Sequence, residues 1–107
     1  MKRFEMKVMS EFVITQGKGF GITFENGWYV SVQFGPFNYC DNQDYKAHED
    51  YEGNSREAGA KGCKNAECAV FDPDGNMIPF PGNEHDTIKG WMGVNEVMDL
   101  LNKIRNK

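Results

Sequence analysis

Hydrophobic and polar residues alternate most sharply between Phe20 and Phe34. Phe20, Ile22 and Phe24 are interleaved with Gly21 and Thr23. After Glu25-Asn26-Gly27, the residues Trp28, Val30, Val32 and Phe34 are interleaved with Tyr29, Ser31 and Gln33. Period two on both sides of a turn predicts a β-hairpin. The loop is either Asn26-Gly27 alone or Glu25-Asn26-Gly27 with Gly27 left-handed. The shorter loop opposes Phe24 to Tyr29 and Ile22 to Ser31, which mixes the faces. The longer one opposes Phe24 to Trp28, Ile22 to Val30 and Phe20 to Val32, giving one apolar face. A one-residue slip turns every side chain over, so the second register is expected.

Weaker patterns flank this hairpin. Glu11 to Thr15 (EFVIT) is β-rich, ends at the turn Gln16-Gly17-Lys18-Gly19, and is expected as a first strand beside the hairpin. In residues 1–10, Phe4, Met6 and Val8 alternate among good helix formers, and an extended start or a fraying terminus is preferred. Gly35-Pro36 stops the strand that ends at Phe34. Glu67 to Phe80 predicts a second hairpin about the turn Asp72-Pro73-Asp74-Gly75. With Gly75 as a bulge residue, Val70 faces Ile78 and Cys68 faces Phe80. Pro79 marks an edge or a strand end, and residues 81–90 read as a connecting loop. Val97, Leu100, Leu101 and Ile104 then form one helical stripe, with Gly93 as N-cap, Glu96 at N3 and Met92 placed to staple against Val97. Together these elements predict a single α+β domain over residues 1–107. It is an antiparallel sheet of about four or five strands in two hairpins, with one C-terminal α-helix packed on one face.

Composition narrows the function classes. A chain of 107 residues builds one modest core. A net charge of −4 argues against direct nucleic-acid binding through phosphates, which needs clustered Lys and Arg. No run approaches the roughly 18 apolar residues of a membrane span, and the opening MKRFEMKVMSEF lacks the apolar core of a signal peptide. Three cysteines, an odd number, argue against a disulfide framework, so reduced thiols and a cytoplasmic setting are expected. A polar, acidic insertion loop runs from about 41 to 65. In it Asp41, Asp44, Glu49, Asp50, Glu52 and Glu57 outnumber Lys46 and Arg56, and Tyr45 and Tyr51 are embedded among them. The ordinary reading is a solvated insertion; the sharper one is a partner-binding loop.

Candidate chemistry is thin. Cys63, Cys68, Cys40 and His48 supply the inventory of a Cys3His zinc site, but without a strong spacing pattern, and Cys68 points inward in the predicted register. Cys40–His48 or Cys63–His85 pairs lack any nucleophile signature. The Gly-rich run Gly17-Lys18-Gly19-Phe20-Gly21 precedes a strand, whereas a phosphate cradle opens a helix. Gly21 should leave a shallow open spot on the outer face of the hairpin. No catalytic residue, metal site or cofactor is therefore expected. Trp28, Trp91 and the phenylalanines read as core. Tyrosines favour interfaces, so the candidate partner-binding residues are Tyr29, Asp41, Asp44, Tyr45, Glu49, Asp50, Tyr51 and Glu52, a surface suited to a basic protein.

Several motifs carry a resemblance. Asn26-Gly27-Trp28, Val30-Ser31-Val32-Gln33-Phe34-Gly35 and Asn38-Tyr39-Cys40-Asp41-Asn42 come first. Ala66-Glu67-Cys68-Ala69-Val70-Phe71-Asp72, Asp74-Gly75-Asn76, Gly90-Trp91 and Glu96-Val97 follow. Over roughly residues 18 to 104, outside the insertion, this pattern resembles small, largely uncharacterised proteins of bacteriophages and mobile elements. The chain departs from it at Gly93-Val94, where Ser-Pro is expected, and in the insertion. The resemblance carries over no catalytic residue. It implies a phage-type accessory protein in a host cytoplasm, a non-enzymatic inhibitor of a host defence protein or protein–RNA complex such as a CRISPR effector. The alternative is a small-molecule or nucleotide sponge formed in a homo-oligomer.

Overall fold

The computed structural model describes residues 9–15, 18–44, 62–82 and 84–107. Among these residues five strands and one helix follow in order: β1 (Glu11–Thr15), β2 (Gly19–Thr23), β3 (Tyr29–Gln33), β4 (Asn65–Phe71), β5 (Ile88–Gly93) and α1 (Val94–Arg105). Sheet order equals chain order, and every neighbouring pair is antiparallel. The α+β class with one helix on one face is the architecture seen. The extended start expected over residues 1–10 falls largely on residues 1–8, outside the described ones.

The β2–β3 hairpin adopts the register that keeps one face apolar. Phe20 opposes Val32 and Ile22 opposes Val30. Phe24 and Trp28 close the ladder through Phe24 N–H donating to the Trp28 carbonyl at 2.9 Å. Gly27, at φ 89°, takes the left-handed position that a three-residue loop demands. EFVIT pairs with β2 as expected. At the β4 turn, Gly75 has φ 87°, its N–H donates to the Asp72 carbonyl at 2.9 Å, and Ile78 N–H donates to Val70 at 2.9 Å.

Beyond that point the second hairpin differs from expectation. Its return makes only a bridge, Phe71 with Met77, and Cys68 faces Lys89 rather than Phe80. The partner of β4 is β5, which includes residues 88–90 of the segment read as a loop. Two glycines and a bulge between Ala66 and Cys68 hide it, because a bulge breaks the period of two on which strand recognition rests. Exposed Lys89 reaches Glu96 of α1 at 3.4 Å, and a charged lysine is a common device on an edge strand.

The core lies between α1 and strands β3, β4 and β5. Val30, Val32, Ala66, Cys68, Val70 and Met92 meet Val97 and Ile104 there, with Leu100 and Leu101 packed alongside. Burying each such aliphatic side chain contributes about 1.5–3 kcal/mol. Gly93 is the N-cap in extended conformation, and Glu96 reaches back to accept its N–H at 3.1 Å. The far end of α1 is held by the β2–β3 turn. Asn26 Nδ2 donates to the Ile104 carbonyl at 2.9 Å, while its Oδ1 accepts Trp28 N–H at 3.0 Å. Lys107 Nζ stands 4.9 Å from the Trp28 ring centre.

Asn26→Ala removes both the turn acceptor and the helix-end donor, so a loss of about 2 kcal/mol is expected in urea unfolding. Asn26→Asp should lose nearly as much, since it keeps the acceptor but sets a negative charge against the negative end of the helix. An Asp variant as stable as wild type would show that only the turn matters.

The Glu96 carboxyl is held below its usual range by the Gly93 N–H and then by Lys89, and Asp72 likewise chiefly by the Asn76 N–H. A carboxyl with a lowered folded pKa stabilises the fold above its unfolded pKa and stops doing so as pH falls through the folded value. The stability difference between wild type and Glu96→Gln should therefore be present at neutral pH and vanish in acid. A difference that did not change with pH would refute the charged cap.

Candidate functional site

After β3, residues 34–44 make a tight, side-chain-braced turn. Gly35 N–H donates to Asn38 Oδ1 at 3.0 Å, and Asn42 Nδ2 donates to the Phe34 carbonyl at 2.9 Å. The Glu67 carboxylate of β4 accepts Asn38 Nδ2 at 3.2 Å and Tyr39 N–H at 2.9 Å. Asp41 N–H donates to Asn65 Oδ1 at 2.8 Å. The Tyr39 carbonyl accepts Trp91 N–H from β5 at 2.9 Å. Gly90 makes this docking possible, because a Cβ there would lie 2.8 Å from the Tyr39 carbonyl oxygen.

The outcome is an aromatic ledge of Tyr39 and Trp91 at the β5 edge, with Phe37 two residues from Tyr39 on the same turn. Phe37 is 83% exposed, Trp91 50% and Tyr39 46%. The Tyr39 and Trp91 rings stack with centres 5.9 Å apart and planes 11° from parallel. Phe37 (φ 73°) and Trp91 (φ 50°) are also the only non-glycine residues with positive φ among the described ones. That conformation costs an L-residue about 1–2 kcal/mol. Here it holds large apolar rings in water, an arrangement that core packing gives no reason to keep. Strain of this kind concentrates at binding and catalytic sites.

The predicted contact residues divide. Asp41 and Asp44 are exposed on the same turn as Phe37 and Tyr39. Tyr45, Glu49, Asp50, Tyr51 and Glu52 lie outside the described residues, as does His48. Tyr29 does face away from the core, but it sits four residues along β3 from Gln33, the partner of Glu67. That is about 13 Å at strand rise, so Tyr29 does not join the ledge. It is half-buried, its ring 5.6 Å from that of Phe71, and burial pushes its phenol pKa up. Its ring also fills the spot beside Gly21 that the sequence led us to expect open.

Trp91, read as core, is instead half exposed, and Phe37 is more so. The signal for them was present in Gly90-Trp91 and Asn38-Tyr39-Cys40-Asp41-Asn42, where a glycine precedes a large ring and Asn and Asp mark a braced turn. Among the described residues, no three His, Cys, Asp or Glu side chains converge to hold a metal. Cys68 belongs to the core under α1, opposite Val32 and Lys89. An open apolar groove of about 160 Å³ lies between the start of α1 and the sheet, with Phe34, Cys63, Met92 and Met98 in its walls. No helix among the described residues is long and apolar enough to cross a membrane.

Trp91→Gly should be more stable than Trp91→Ala by about 1 kcal/mol in chemical denaturation, since only the alanine keeps the left-handed penalty. Equal stabilities would mean that position 91 is unstrained. No family model, curated protein or solved structure matches this sequence.

Proposed function

We propose that this chain is a non-enzymatic binding protein that grips a protein partner through the Tyr39–Trp91 ledge and the acidic, Phe37-bearing turn beside it. The observation that carries this reading is the stacked, solvent-exposed Tyr39–Trp91 pair on a strained backbone. Trp and Tyr are the anchors that most often dominate binding energy when a partner desolvates them. Asp41 and Asp44 on the same turn, with a net charge of −4, favour a partner carrying Lys or Arg around an apolar centre. Charge of this kind chiefly sets encounter rate and partner choice. The motif resemblance to phage and mobile-element proteins directs the reading to a host defence protein or protein–RNA complex, with this chain as its inhibitor.

Affinity capture from a bacterial host lysate, with mass spectrometry of the eluate, tests the proposal. Wild type should retain a stoichiometric protein that raised salt weakens, and Tyr39→Ala/Trp91→Ala should lose it, with at least 2 kcal/mol of binding removed. The same capture by both proteins would remove the ledge from the interface. A Tyr45→Ala/Tyr51→Ala variant asks separately whether the acidic insertion contributes.

A second reading, a small-molecule sponge within a homo-oligomer, draws on β1. Its Phe12 and Ile14 lie on the helix side of the sheet, beyond the helix, and are 79% and 86% exposed. A sedimentation profile showing an oligomer, with a melting shift for one member of a nucleotide panel, would favour it.

A further inference from the structure

We propose that Cys40 and Cys63 form a redox-responsive dithiol, which a small disulfide oxidant closes into an intramolecular disulfide at the base of the β3–β4 connection. The two residues are brought together by the fold. Asp41 N–H donates to Asn65 Oδ1 at 2.8 Å and Asn42 Nδ2 donates to the Gly62 carbonyl at 3.3 Å, so the chain around 40–42 lies along 62–65. Within this clasp Cys63 S–H donates at 3.8 Å to Asn65 Oδ1, the same atom that accepts Asp41 N–H, and the Cys63 thiol is near enough to Cys40 to help push its pKa up. Both cysteines are unbridged, and neither belongs to the apolar cluster under α1, whereas Cys68 does.

The two sulfurs are unequal, and this sets the order of events. Cys40 is 1% exposed, donates its S–H to the Gly35 carbonyl at 3.6 Å, and has its thiol pKa pushed up to about 11, mainly by burial. Buried thiols of this kind are inert toward reagents in solution. Cys63 is half-buried and forms part of the wall of the open groove beside α1. Cys63, as thiolate, therefore attacks one sulfur of the oxidant. The oxidant's S–S bond breaks, one thiolate leaves, and a mixed disulfide stands on Cys63. Cys40 then gives up its proton and attacks Cys63 Sγ. The 40–63 bond forms as the second thiolate departs. Two protons pass through solvent to the two released thiols, and two electrons pass from the cysteine pair to the oxidant. A departing thiolate of lower pKa than Cys40 favours closure, because the better leaving group is expelled.

Closure joins the turn that carries Tyr39 covalently to the start of β4, and would do so whether or not the ledge binds a partner. It also restricts the unfolded chain over residues 40–63, so the oxidised protein should melt at a higher temperature.

The test is to treat the folded wild type with oxidised glutathione and follow intact mass and peptide linkage. The expected product has lost two hydrogens, contains a peptide pair linked through Cys40 and Cys63, and returns to starting mass with a dithiol reductant. Cys68→Ala should behave identically. Cys63→Ser should leave Cys40 unmodified in the folded state. A stable glutathione adduct on Cys63 without closure, a linkage through Cys68, or no reaction at all would overturn the proposal. The wild-type result decides even if a variant fails to fold.

Discussion

The three-residue turn between β2 and β3 sets which residues of these two strands join the sheet's apolar layer. Gly27 at φ 89° closes that loop, and the loop fixes the register in which Phe20, Ile22 and Phe24 meet Val32, Val30 and Trp28. A slip of one residue would carry one strand's whole set to the solvent side. The same turn reaches past the sheet, where Asn26 satisfies the Ile104 carbonyl at the end of α1 and Trp28 lies against Lys107. A helix end leaves its last carbonyls without partners, so one side chain orders the hairpin and anchors the helix laid across it.

The two edges of the sheet are handled differently. On β5, exposed Lys89 pairs with Glu96, the bulge after Ala66 interrupts the ladder, and the turn bearing Tyr39 docks on Trp91. Each feature blunts an edge that would otherwise recruit another strand. On β1 the helix has run out of reach, and Phe12 and Ile14 stand in solvent. The aromatic ledge thus belongs to the edge that is most heavily braced. Bracing of this kind holds exposed rings in one geometry before any partner arrives, which lowers the ordering cost of binding.

Glu67 links these halves of the molecule. Its backbone sits in β4, paired with Gln33, while its carboxylate gathers Asn38 and Tyr39. The strand that supplies Cys68 and Val70 to the core therefore also supplies, on its other face, the support for the ledge. Alternation along one strand lets a single element serve both layers.

The sequence by itself determined the α+β class, the register of the first hairpin, the Asp72–Gly75 turn, and the capped amphipathic helix with its apolar stripe. These rest on interactions between near neighbours, which periodicity and turn chemistry express directly. It did not reveal β5, because Lys89, Gly90 and Trp91 alternate only once a bulge opposite Ala66 and Cys68 is allowed for. Nor could it show that Trp91 leaves the core, that Tyr29 closes over Gly21, or that Asn26 caps a helix seventy-eight residues away. Those outcomes were decided by the tertiary structure alone, since each depends on which distant backbone arrives beside the residue, and local pattern carries no record of that meeting.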